Sequence, residues 1–328
     1  PYLLTASLKK TGEEKTACIL VATSGDTGKA ALEGFRDVDR TKILVFYPKD
    51  GVSDIQKLQM VTQEGENTGV CAVIGNFDDA QTGVKRIFSD PVLRERLAAD
   101  GKLLSSANSI NWGRVLPQIV YYISAYCDLL ASGAIRMGEK IDFCVPTGNF
   151  GNILAAYYAK RMGLPVGKLI CASNANDVLT EFIRTGVYDR NRPFHATMSP
   201  SMDILISSNL ERLLYLLSGS DEAVRGYMRQ LSETGRYAVT PELHAKIQES
   251  FACGCCDEAS TAETIGRVFK ERSYLIDTHT AVAWNVLEQF RRESGSRSMS
   301  VVVSTASAFK FCASVLTALG VEKQAEGT

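Results

Sequence analysis

Short apolar runs recur through the first half of the chain, at residues 17–21, 43–47, 70–74, 103–106, 141–145 and 168–172. Runs of this length, closed by glycine, proline or polar turns, predict buried strands. The segments between them change to helical spacing, which predicts helices over 29–35, 54–64, 78–88, 117–131 and 153–162. A further helix over 3–10 ends at Gly12. In the 117–131 segment Ile119, Tyr122, Ile123 and Tyr126 share one face and read as core. Ser53 and Gln56 have the spacing of a capping box, Pro146 closes its strand, and Gly163 with Pro165 stops the helix before them. Strands alternating with helices in this way predict a parallel sheet with right-handed crossovers. Beyond Asp177 the pattern is mostly helical. Thr240-Pro241 marks one helix start, Ser260 and Glu263 the capping box of another, Asp277-Thr278-His279-Thr280 a third, and residues 298–303 form a last strand.

At 328 residues the chain is long enough for two domains of roughly 150 residues each. Its net charge of −1, with lysine and arginine spread along the sequence, gives no footprint for nucleic acid. No apolar run approaches the roughly 20 residues that span a bilayer, so no membrane partner is expected. The opening Pro1-Tyr2-Leu3-Leu4 has neither an initiator methionine nor the regions of a signal peptide, and a segment upstream of it is expected. Nine cysteines, an odd number lying largely in apolar runs, argue against a disulfide framework and for a cytoplasmic location. Cys253, Cys255 and Cys256 cluster near His244 but lack paired Cys-x-x-Cys knuckles, so they read as free thiols in a loop, with no metal expected.

Ligands of open α/β sheets collect outside the carboxyl ends of the strands. Four turns fall there, at residues 24–28, 108–114, 148–152 and 304–307. The 148–152 turn carries two glycines between a strand and a helix start, where free N–H groups and the helix dipole suit a phosphate. A β-carbon at Gly148 or Gly151 would crowd that anion or force an unfavourable backbone angle. All four turns carry hydroxyl, amide or glycine groups rather than acid–base pairs. Such an inventory delegates the hard chemistry to a cofactor.

The motifs resemble those of the threonine synthases, pyridoxal-phosphate enzymes of the tryptophan-synthase-β fold group. The resemblance rests on Ala22-Thr23-Ser24-Gly25-Asp26-Thr27-Gly28-Lys29, Asn76-Phe77-Asp78-Asp79-Ala80-Gln81, Asn108-Ser109-Ile110-Asn111-Trp112-Gly113-Arg114, Pro146-Thr147-Gly148-Asn149-Phe150-Gly151-Asn152 and Ser304-Thr305-Ala306-Ser307. It implies an α/β fold of two parallel open sheets flanked by helices, the type II fold of pyridoxal-phosphate enzymes. A smaller domain would span 18–125, with a larger one formed by 1–17 and 126–328. It also implies pyridoxal 5'-phosphate as cofactor. Gly148, Asn149, Phe150, Gly151 and Asn152 would cradle its phosphate, Thr305 with Ser304 would meet the pyridine nitrogen, and Asp26 would lie beside the phenolic oxygen. Ser24, Gly25 and Thr27 would bind the substrate carboxylate, with N-capping as the alternative for Ser24 and Thr27. Asn108, Ser109, Arg114 and Lys310 would hold the substrate phosphate. His279 is more simply a structural histidine, and Ser201-Met202-Asp203-Ile204 with Asn209 and Arg212 has no assigned role.

The implied reaction converts O-phospho-L-homoserine and water to L-threonine and phosphate. The resemblance places the Schiff-base lysine upstream of Pro1; Lys29 and Lys310 are poor substitutes for it. The alternatives are a phospho-lyase of the same fold and a non-catalytic phosphate- or cofactor-binding chain.

Overall fold

The computed structural model describes residues 1–23, 25–108 and 111–321. Ser24, Ser109, Ile110, the last seven residues and the side chain of Asp26 lie outside the described set, and with them the expectations placed there. Contacts divide the chain into Pro1–Arg114 and Val115–Thr328, whereas the sequence boundaries were drawn at 17/18 and 125/126.

The first unit runs α1 (Tyr2–Thr11), β1 (Thr16–Ala22), α2 (Asp26–Phe35), β2 (Thr41–Pro48), α3 (Asp54–Val61), β3 (Thr68–Val73), α4 (Phe77–Ser89), α5 (Pro91–Ala99) and β4 (Lys102–Ser106). Its strands form one parallel sheet in the order β3-β2-β1-β4. Ile19, Val21, Ile43 and Val45 of the central strands pack against Ala31, Leu32 and Phe35 of α2 and Met60 of α3. The Ser53–Gln56 capping box forms as the spacing predicts, although α3 ends three residues early, at Val61. Helix α5 was not foreseen.

Helix α6 (Trp112–Ala131) starts five residues before Pro117, which lies within it. A proline one turn into a helix removes only one backbone bond, so the helix continues through it. Val115, Ile119, Tyr122 and Tyr126 form its buried face; Ile123, expected in the core, is 36% exposed.

The second unit continues with β5 (Ile141–Pro146), α7 (Gly151–Arg161), β6 (Val166–Ser173), α8 (Val178–Thr185), β7 (Val187–Asp189), α9 (Leu210–Ser218), α10 (Asp221–Thr234), β8 (Arg236–Ala238), α11 (Pro241–Ser250), β9 (Phe251–Cys255), α12 (Glu258–Arg272), α13 (Thr278–Ser294), β10 (Ser300–Val302) and α14 (Cys312–Ala318). The parallel order β10-β5-β6-β9 places β5 and β6 at the centre, and every residue of β5 is buried. Even Asp142 is accommodated, because the register shifts beside it and its Oδ1 accepts from the Lys168 N–H at 2.6 Å. β7 and β8 pair antiparallel as a separate ribbon.

Two expectations are corrected here. Residues 253–255 are not in a loop but on the sheet-edge strand β9, paired with β6. The Ser260–Glu263 box does not form, because Asp257 caps α12 first, its side chain accepting from the Ser260 N–H. No helix among the described residues is long and apolar enough to cross a membrane.

Candidate functional site

The turn after β5 is fixed from below by buried groups. Phe150 adopts φ 62°, ψ 0°, the left-handed region, and its ring is sunk in the core against Phe251 at 5.7 Å. A non-glycine residue held there is strained, and such strain collects at ligand sites. The carbonyls of the turn face protein donors. Ser207 Oγ donates to the Gly148 carbonyl (2.9 Å) and Asn209 Nδ2 to the Asn149 carbonyl (2.9 Å). Phe150 accepts from the Leu154 N–H (3.0 Å). Tyr122, whose phenol burial keeps protonated, reaches Asn152 Oδ1 at 2.6 Å and its carbonyl at 3.1 Å. The N–H groups from Gly148 to Ile153 meet no acceptor among the described residues. Phe150, Gly151 and Ile153 are buried and Gly148, Asn149 and Asn152 half-buried, so these donors are open to a ligand or water. A run of them at the start of an eleven-residue helix fits a phosphate, so the residues present suit the phosphate of the implied cofactor.

Gly148 owes its identity to packing. A β-carbon there would lie 2.9 Å from the Ser201 carbonyl oxygen and 3.3 Å from Met202 Cα. Ser201 is held in turn by His279, whose Nε2 accepts its N–H at 3.2 Å while Nδ1 faces Asp277 Oδ1 at 3.1 Å. These partners put the imidazole proton on Nδ1. His279 is thus a buried strut behind the turn, with the Phe311 ring 4.9 Å away. Asp203, buried nearby, accepts from Asn174, Asn176 and both the N–H and hydroxyl of Thr197. The 197–209 segment, without a role at the sequence level, is the scaffold of the turn.

Asp277 caps α13, accepting from the N–H groups of His279 (2.8 Å) and Thr280 (3.3 Å). Burial opposes its ionisation, but the bonds from His279 and Thr280 outweigh burial and hold the carboxyl below the ordinary range. A depressed carboxyl contributes stability that is present above its unfolded pKa and lost as pH falls through its folded one. Urea midpoints taken from neutrality to about pH 3 should therefore fall more steeply for the natural protein than for Asp277→Asn. Equal acid slopes would remove Asp277 from the account. Asp203, raised by burial, acts in the opposite sense and is common to both proteins.

The turn after β10 lies beside this one, since β10 pairs with β5 and the Val303 N–H donates to the Cys144 carbonyl. Ser304 and Thr305 are exposed there; Ser304 Oγ is 3.1 Å from Thr280 Oγ1. Lys310 follows in a short 3-10 turn.

In the first unit the turn after β1 is organised by Thr23, which the sequence reading passed over. Its hydroxyl accepts from the N–H groups of Gly25 and Gly28, both at 2.9 Å, so Thr23 serves as a cap at the start of α2. Gly25, at φ 140°, packs on the buried Gln56 side chain, and Thr27 is half-buried. Asn108 uses both ends of its amide on Ala22, accepting from its N–H (3.0 Å) and donating to its carbonyl (2.5 Å), which ties the carboxyl ends of β1 and β4 together. Arg114 is half-buried, close enough to the Pro1 amino group to add to the lowering that burial causes there. Lys29 is engaged by Glu33 (3.3 Å) and Gln63.

Burial pushes the Cys253 and Cys256 thiols up to about 11, so neither is a thiolate at neutral pH. His244 Nε2 faces the Ile183 carbonyl, and no group of metal-ligating side chains forms among the described residues.

No family model matches the chain. It is 45% identical over 313 residues to threonine synthase-like 1 of Macaca fascicularis, covering 93% of this chain and 42% of that protein. With threonine synthase of Saccharomyces cerevisiae the identity is 37% over 323 residues, covering 94% of this chain and 61% of the relative. The crystal structure of threonine synthase from Brucella melitensis with pyridoxal phosphate bound superposes with a TM-score of 0.84 at 41% identity, covering 98% of this chain and 66% of that one. The chain thus spans about two-fifths to two-thirds of the length of these relatives.

Proposed function

The chain belongs to the threonine synthase family, and from that premise we propose that it is the part of a pyridoxal-phosphate enzyme that converts O-phospho-L-homoserine and water to L-threonine and phosphate. One observation supports this most: the row of backbone N–H groups from Gly148 to Ile153 without a protein acceptor, at the mouth of a parallel sheet. Pyridoxal 5'-phosphate, when bound, supplies the electron sink for chemistry at the substrate Cα.

The chain's own residues bind and orient. Gly148, Asn149, Phe150, Gly151 and Asn152 present N–H groups to the cofactor phosphate. Thr305, with Ser304, offers a hydroxyl to the pyridine nitrogen, which a hydroxyl leaves largely unprotonated. The resemblance assigns Asp26 to the phenolic oxygen. Ser24, Gly25 and Thr27 take the substrate carboxylate at the start of α2, where the helix dipole favours an anion. Arg114, with Asn108, Ser109 and Lys310, takes the substrate phosphate; the arginine fork can donate two parallel bonds to it.

Incubating the complete protein with O-phospho-L-homoserine should yield threonine and phosphate in equal amounts. Release of 2-oxobutyrate in place of threonine would replace this reading by a phospho-lyase. Tight cofactor binding without turnover would reduce it to a binding protein.

A further inference from the structure

We propose that Ser207 and Asn209 are positioning residues for the phosphate cradle, acting by fixing which way two of its peptide planes face; this rests on the phosphate reading of residues 148–152 given above. A trans peptide is planar, with its carbonyl and its N–H pointing in opposite directions. No peptide bond among the described residues is cis. The Gly148 carbonyl shares a plane with the Asn149 N–H, and the Asn149 carbonyl with the Phe150 N–H. Ser207 Oγ holds the first carbonyl and Asn209 Nδ2 the second, each at 2.9 Å. Both N–H groups are thereby turned to the opposite side, towards the anion. The next plane is set in the same manner by the Leu154 N–H on the Phe150 carbonyl, which directs the N–H of Gly151.

The two donors are themselves held. Ser207 donates its N–H to Tyr188 Oη (2.9 Å), and that hydroxyl donates to the Leu205 carbonyl (2.9 Å). Asn209 is wholly buried at the start of α9, and Ser208 between them donates to Asn149 Oδ1 at 3.2 Å. If either donor is lost, a carbonyl oxygen can swing into the cradle, replacing an attractive dipole with a repulsive one.

The test uses the 328-residue chain with pyridoxine 5'-phosphate and pyridoxine as probes. Neither has an aldehyde, so binding requires no lysine. Isothermal titration should give natural protein a clear preference for the phosphorylated probe. Ser207→Ala and Asn209→Ala should each weaken the phosphorylated probe about 5- to 10-fold, the scale of one neutral hydrogen bond. Both should leave pyridoxine unchanged, and Ser207→Thr, which keeps the hydroxyl, should restore the preference. If Asn209→Ala fails to fold, Ser207→Ala with its melting temperature decides. Unchanged affinity for the phosphorylated probe, or parallel losses for both probes, would overturn the positioning role while leaving the phosphate site standing. A natural protein that does not prefer the phosphorylated probe would overturn the phosphate site itself, and this inference with it.

Discussion

Gly148→Ala should lower stability by about 1–3 kcal/mol, the usual cost of overpacking a filled site, and should weaken phosphate binding at least about tenfold. The new β-carbon meets backbone, the Ser201 carbonyl at 2.9 Å and Met202 Cα at 3.3 Å, rather than the flexible end of a side chain. That wall cannot retreat easily. The Ser201 N–H is tied to His279 and the Met202 N–H to the Ser199 carbonyl. The turn must therefore move, and with it the N–H groups proposed to bind the anion. Gly226→Ala in α10 is the control, since nothing lies within 4 Å of a β-carbon there. It should gain stability, by about 1 kcal/mol for glycine in a helix interior. A Gly148→Ala protein with unchanged melting temperature and phosphate affinity would remove the wall from the account.

The second large effect is a loss. The chain from Pro1 to Thr328, mixed with pyridoxal 5'-phosphate and reduced with borohydride, should retain no stoichiometric label on peptide mapping and should form no threonine. Lys29, the lysine nearest the turn after β1, is committed to Glu33 and Gln63. Those contacts hold its amine on the outer face of α2 rather than leaving it for an aldehyde. Lys310 sits in the short turn that follows Thr305 and carries none of the family's lysine motif. A stoichiometric label on either lysine, accompanied by turnover, would show that the catalytic amine lies within this chain.

Strands and helices that bury a continuous face were legible in the sequence. β5 is apolar, ends at proline and gives way to a helix of good formers, so the turn between them could be located. α5 buries no residue at all and left no periodic trace. β9 is five residues of mixed size with a glycine and two cysteines, and only its pairing with β6 makes it a strand. At the site, the residues proposed to face a ligand were easier to name than those that hold them in place. Thr23 was hidden by the more conspicuous Ser24 and Thr27. Asn108 was read as a ligand group, while its amide joins two strand ends. Ser207 and Asn209 act on residues some sixty positions away, and no local spacing can announce such a bond. At Gly148 the sequence argument concerned the anion; the structure adds that a β-carbon there would also meet the Ser201 carbonyl.

The neighbour relation between β5 and β10 has a consequence for the order of assembly. Val301 pairs with Phe143, so β10 is added to a strand made long before it on the ribosome. Everything from α7 to α13 is synthesised in the interval. Because pairings so distant in sequence form late and slowly, a nascent chain can shape the turn at 148–152 before Ser304 and Thr305 exist. During that interval the exposed flank of β5 is an open sheet edge, the kind of surface to which other chains add. A chain interrupted before Ser300 would be left with that edge permanently uncovered, and with aggregation rather than mere inactivity as its outcome.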